Sequence, residues 1–148
     1  MADPQVLPTA PLDPKVPVRI VFLGGLGEIG RNCMVIEQGA PDDPDRTMLL
    51  IDCGLMFPDA NMHGIDLILP DFTYLRENAA RLQAIVLTHG HEDHIGAIQY
   101  LMRNDDGIGH LRDEPLPVYG SALALGLARN RIEEAGLLPK IDMRPVQD

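Results

Sequence analysis

Tryptophan is absent from the 148 residues, and three Phe and three Tyr hold the aromatic share to 4%. With 45% apolar residues, the composition is that of an ordinary water-soluble α/β chain, long enough for one domain or for part of a larger one. Long hydrophobic runs are missing as well. The longest, such as MLLI at 48–51, fall far short of a membrane span. The N-terminus lacks the basic-then-apolar order of a secretory signal. These absences argue against a membrane and for a cytoplasmic location. Cysteine is scarce: Cys33 and Cys53 make no disulfide framework and read as reduced core thiols. Positive charge is scarce too. Twelve Lys and Arg against 22 Asp and Glu give a net charge of −10. Such a segment is by itself a poor binder of nucleic acid, because phosphate contact needs Lys and Arg. The average is a weak guide near a metal, since carboxylates gathered round a cation inflate the negative count.

What is present has a clear order. Residues 1–17 carry five prolines, which predict an extended, flexible tail. VRIVFL (18–23), NCMVIEQ (32–38) and RTMLLIDC (46–53) read as three strands of an antiparallel meander, with a breaker loop at 39–45. Residues 54–70 form a long connection, of the kind that often carries function. A helix is expected over 72–82, capped by Asp71 and burying Phe72, Leu75, Ala79 and Leu82. AIVLT (84–88) reads as a strand buried on both faces. A helix should start near Ile95, with Ile98, Leu101 and Met102 inward. LPVYG (116–120) is a further strand, and 121–136 a helix between Ser121 as N-cap and Gly136 as stop. The fold class is α/β, an antiparallel meander followed by alternating helices and strands.

The chemistry concentrates in LTHGHEDHIGA, residues 87–97. Three of the five histidines and an acid lie here, after a strand and before a helix. Unpaired, these polar heads would be costly at a strand end. In an extended segment, positions i and i+2 point the same way, so His89 and His91 can hold one ion. Asp93 and His94, at the turn into the helix, can reach a second. Imidazole with carboxylate suits Zn²⁺, with Mn²⁺ or Fe as alternatives. Two such ions side by side acidify a shared water and clamp a developing anion. Asp93 can also orient that water or act as base.

This His-x-His-x-Asp-His pattern resembles the signature of the metallo-β-lactamase fold. GGLGEIGRN (24–32), DCGLMFPD (52–59), GIDLILPDFTYL (64–75) and PVYGSALALGLARNRIEEAGL (117–137) join it in the order and spacing of bacterial ribonuclease J, of the β-CASP nuclease family. The resemblance covers about Val18 to Leu137. It implies the N-terminal half of an αββα sandwich spanning 18–148. It implies a zinc-dependent 5′→3′ exonuclease and endonuclease of RNA maturation and decay, including rRNA processing. The implied substrate is 5′-monophosphorylated RNA, and the implied assembly a homo-oligomer. His89 and His91 are then ligands of one Zn²⁺, Asp93 and His94 of the other, and Asp52 a structural acid behind them. In some members a Ca²⁺-type ion is also bound. The matching positions are the Gly64 carbonyl and the Asp66 carboxylate, where a plain loop turn is the equal alternative. His63 and His110 match no ligand position and read as surface residues. The remaining metal ligands, the β-CASP domain and the C-terminal domain are expected outside these residues. The segment alone should therefore be inactive and should expose one apolar sheet face. Two other readings stand beside this one, a hydrolase of small esters or thioesters and a non-catalytic fragment.

One motif points elsewhere. Gly25-x-Gly27-x-x-Gly30 spells a dinucleotide-binding turn. That turn needs a following helix to hold the pyrophosphate. NCMVIEQ, with Val and Ile and a breaker at Gly39, is a better strand than helix. NAD is therefore not expected. The glycines instead connect two strands tightly beside the metal pocket, and Glu28 and Asn32 are expected to fix that loop.

Overall fold

The computed structural model describes residues 15–147. The tail predicted over 1–17 lies almost wholly outside the described residues. Six strands form one sheet in sequence order. They are β1 (Val18–Gly24), β2 (Cys33–Gln38), β3 (Thr47–Ile51), β4 (Leu82–Val86), β5 (Leu116–Gly120) and β6 (Ile141–Pro145). Short connections make β1, β2 and β3 antiparallel. Long crossovers make β3, β4, β5 and β6 parallel. The helices are α1 (Thr73–Glu77), α2 (Glu92–Ile95), α3 (Ile98–Leu101) and α4 (Ala122–Glu134).

One face of the sheet is core. Val35, Leu50, Ile85 and Val118 pack there against Leu75, Ile98, Leu101, Ala128 and Ile132 of the helices. The other face is open. Val18, Ile20 and Phe22 are 63%, 55% and 52% exposed. Ile20 lies opposite Ile36 and Phe22 opposite Met34, so the apolar surface continues into β2. Leu49 and Ile51 extend it through β3. An uncovered apolar sheet face is what the half-sandwich reading requires. Val86 is half-buried on that side, so β4 is not enclosed on both faces as its apolar run suggested. Among the described residues, no helix is long and apolar enough to cross a membrane.

Three elements differ from expectation for identifiable reasons. The helix predicted over 72–82 stops at Glu77 and continues only as a 3₁₀ turn, Ala79–Arg81. Asn78 ends it: its Nδ2 donates to the Tyr74 carbonyl at 2.9 Å, competing with the backbone ladder. Asp71 acts one residue early, accepting from Thr73 N at 2.9 Å ahead of the actual N-cap, Phe72. The helix expected near Ile95 begins at Glu92 and breaks after Ile95. At the break, Ala97 N donates to the Cys53 carbonyl at 2.9 Å, tying this helix to the end of β3. By contrast, α4 follows its signals. Ser121 Oγ accepts from Ala124 N at 3.2 Å, and Gly136 takes φ +70°. Strand β6 was not anticipated; it is a half-polar edge in which Asp142 and Arg144 pair at 2.7 Å.

The glycine block joins β1 to β2. Gly25, Gly27 and Gly30 take φ +83°, +74° and +120°, which L-residues with a Cβ avoid. A strand, not a helix, follows them. They are turn glycines.

Strand alternation puts Glu37 on the core face, where it is fully buried. Arg19 Nη2 approaches it at 2.6 Å and Arg46 Nε at 3.5 Å, and the Tyr74 hydroxyl donates to its other oxygen. The cluster ties β1, β2 and α1 together. Replacing Glu37 with Ala removes the acceptor that Arg19, Arg46 and Tyr74 share. Chemical denaturation should show a loss of about 3 kcal/mol.

Candidate metal centre

The site forms where β4 runs out of the sheet. After Val86, the chain passes through Thr88 to His89 and His91, then turns into α2, which carries Asp93 and His94. His91 is still extended, with φ −76° and ψ 151°, and stands at the N-cap of α2. The three imidazoles cluster. Ring centroids of His89 and His91 are 4.6 Å apart, and those of His89 and His94 4.0 Å. His94 Nε2 lies 3.4 Å from Asp93 Oδ2. The four residues proposed from spacing thus come together. Among the described residues, no three His, Cys, Asp or Glu side chains close around one ion. The donors are brought together without a complete cage.

Their orientation is set from behind by Asp52, which is buried. Its Oδ1 accepts from Thr88 N at 2.8 Å. Its Oδ2 accepts from Thr88 Oγ1 at 2.8 Å and from His94 Nδ1 at 2.7 Å. This network assigns the Nδ1 proton of His94 to Asp52 and leaves Nε2 as the lone-pair nitrogen beside Asp93. With its own proton given to Asp52, Thr88 Oγ1 accepts from His89 Nδ1 at 3.0 Å. The Nε2 of His89 is then a lone-pair donor as well. Imidazole lone pairs and a carboxylate are the donor types that a divalent metal of the zinc type takes.

Backbone bonds dock the end of β3 on the ligand turn. Cys53 N donates to the His94 carbonyl at 2.8 Å, and Leu55 N to the Glu92 carbonyl at 3.1 Å. Gly54 fits between them, since a Cβ there would run into the carbonyl of Asp93. Asp52 itself takes φ +60°, a conformation Asp tolerates better than most residues.

Asn32 does more than fix its own loop. Its backbone N donates to the Asp93 carbonyl at 2.9 Å. Its Nδ2 donates to the same carbonyl at 3.1 Å and to Asp93 Oδ2 at 3.3 Å. Glu28 holds the loop as expected, accepting from Arg31 Nε at 2.5 Å and Gly25 N at 3.0 Å. Those two donors, Arg31 foremost, keep its carboxyl below the usual range. Thr88 is the site residue that spacing arguments missed, and Asn32, expected to fix the glycine loop, reaches beyond it to Asp93. The only signal for either role was position, beside the first histidine for Thr88 and at the end of the glycine block for Asn32.

The other candidates stand apart. Cys33 and Cys53 are free and buried; burial, then the adjacent Cys33 sulfur, push the Cys53 thiol up, so it is a core group and not a thiolate ligand. Gly64 and Asp66 lie on an exposed loop, as does His63, and His110 is exposed. A cleft of about 350 Å³ runs beside Asp93, walled by Ile29, Leu55, Met56 and Phe57. A hollow of about 310 Å³ on the open sheet face reaches Asn32, Asp52, Thr88 and His94.

The chain is similar to known proteins along most of its length. The metallo-β-lactamase superfamily profile matches residues 26–136. Ribonuclease J of Synechocystis sp. is 45% identical over 130 residues, covering 87% of this chain and 18% of that protein. Ribonuclease J2 of Bacillus subtilis is 43% identical over 129 residues, covering 87% and 20%. The chain spans about a fifth of the length of these curated relatives. The solved structure of human tRNase Z, short form, aligns with a TM-score of 0.48 at 18% identity, covering 85% of this chain and 42% of that one.

If Asp52 sets the His94 tautomer, Asp52→Asn should weaken divalent-metal binding about 10- to 100-fold. Competition between the chain and a chromophoric chelator, with zinc as probe, measures this. Unchanged affinity would contradict the assignment.

Proposed function

The chain belongs to the metallo-β-lactamase superfamily, and from that premise we propose that it is a segment of a metal-dependent ribonuclease of the ribonuclease J type. The observation that carries the reading is the convergence of His89, His91, Asp93 and His94 at one sheet end, with Asp52 behind them. The likeness to ribonucleases J along 87% of the chain supports the substrate class. The substrate in this proposal is RNA with a 5′-monophosphate. The working protein is a homo-oligomer, and its location is the cytoplasm.

In this proposal, His89 and His91 hold one Zn²⁺, and Asp93 and His94 the other. The metal pair, when bound, acidifies water and neutralises charge on the phosphodiester. The chain's own residues do the positioning. Asp52 Oδ2 keeps the Nδ1 proton of His94, so Nε2 stays a donor throughout. Thr88 Oγ1 does the same for His89. Asn32 pins Asp93 through Oδ2, and Asp93 Oδ1 accepts the hydrogen bond of the attacking water and orients it. A Ca²⁺-type ion at the Gly64 carbonyl and Asp66 carboxylate would need its remaining oxygen ligands from elsewhere. The net charge of −10 leaves the RNA backbone to be gripped by other parts of the enzyme.

The test is hydrolysis of 5′-monophosphorylated RNA by the polypeptide that carries this segment. A chelator should abolish cleavage and zinc restore it, and residues 1–148 alone should cleave little or nothing. Cleavage indifferent to chelation would contradict the metal-dependent reading.

A further inference from the structure

We propose that Arg131 is a positioning residue for the metal centre: from α4 it holds Glu92, and through Glu92 it sets the turn that carries His91, Asp93 and His94. The inference rests on the metal-centre reading above.

Glu92 lies between two of the proposed ligands in sequence, yet its side chain turns away from them. Its Oε1 pairs with Arg131 Nη2. Its Oε2 is buried, with no hydrogen-bond partner among the described residues. That oxygen packs over Gly96, where an added Cβ would lie 2.6 Å from Oε2 and 2.6 Å from Leu55 Cγ. The carboxylate is therefore folded back along α2. A desolvated, unpaired oxygen makes this place costly unless a cation holds the other one. Arg131 is the cation that does so.

The same helix touches the ligand turn a second time. A Cβ at Gly90, between His89 and His91, would lie 2.6 Å from Leu127 Cδ1. Leu127 and Arg131 are four apart and share one face of α4. Ala124, Leu125, Ala128 and Ile132 bury the adjoining side of the helix in the core. Helix α4 thus carries the rigidity of the core to both ends of the His89–Glu92 stretch. Without Arg131, Glu92 is a free carboxylate beside Asp93, able to swing to water and to drag the first turn of α2 with it. Both partners are more than a third exposed, 39% and 35%, and such pairs add little to global stability. The effect belongs to the turn and not to the fold.

The test compares wild type, Arg131→Ala, Arg131→Lys, Glu92→Ala and the double alanine variant. Zinc affinity is read by chelator competition, and amide hydrogen exchange is read on the metal-free chain. Arg131→Ala should lower zinc affinity about tenfold. It should speed exchange at His94 and Ile95, whose amides both donate to the His91 carbonyl, and leave α4 unchanged. Arg131→Lys should recover most of both, and the double variant should be no worse than either single. Unchanged exchange at His94 and Ile95, or additive losses in the double variant, would overturn the inference. If wild type takes up no zinc, the metal-centre reading fails, and exchange alone decides the role of Arg131.

Discussion

The carboxylate of Asp52 is the interaction on which the rest of the site depends. It is nearly buried, and ionised carboxylates are tolerated in such places only when donors replace water. Three do so here: the Thr88 amide, the Thr88 hydroxyl and His94 Nδ1, all within 2.8 Å. Each answers a different need. The amide fastens the end of β4 to the end of β3. The hydroxyl relays the order to His89. The imidazole proton leaves Nε2 of His94 as a lone pair beside Asp93. One side chain therefore joins two strands and prepares two metal donors. Its left-handed backbone, φ +60°, costs about 1 kcal/mol and lets residues 53–55 fall across the start of α2.

The scaffold around this point is built from close backbone approach. Asn32 closes the glycine connection between β1 and β2 and reaches Asp93. Gly54 N donates back to the Asn32 carbonyl at 2.9 Å. Three segments far apart in sequence, near residues 32, 54 and 93, thus meet through main-chain bonds with little side chain between them. Such contacts hold position more firmly than flexible side chains do. The open sheet face ends at the same place. The hollow that touches Phe22, Met34 and Ile51 also touches Asp52 and His94, so a layer laid on that face would end at the metal donors. Among the described residues, the incomplete donor set and the uncovered apolar face thus lie side by side.

Much of this was legible in the sequence because strong local signals agreed. β1, β2, β5 and α4 stand within a residue or two of where alternation, caps and glycines put them. His89, His91, Asp93 and His94 declared themselves by spacing, and the uncovered face followed from reading the chain as half of a layered fold. The failures share a cause. Asn78 ends α1 by a side-chain bond to its own backbone, and Ala97 breaks the next helix to reach Cys53. In both, a particular hydrogen bond overrides periodicity. Thr88 and the Glu92–Arg131 pair are tertiary acts by residues whose types are common on any surface, so neither spacing nor composition marks them. Glu37 was similarly hidden: strand alternation places it inward, but only the fold supplies its Arg19, Arg46 and Tyr74 partners.

The protein fixes the imidazole tautomers before any metal arrives. Nitrogen-15 NMR of the histidine rings in the metal-free chain tests this most directly. His94 and His89 should carry the proton on Nδ1, with Nε2 unprotonated, and Asp52→Asn should scramble the His94 preference. A metal-free His94 with its proton on Nε2 would contradict it.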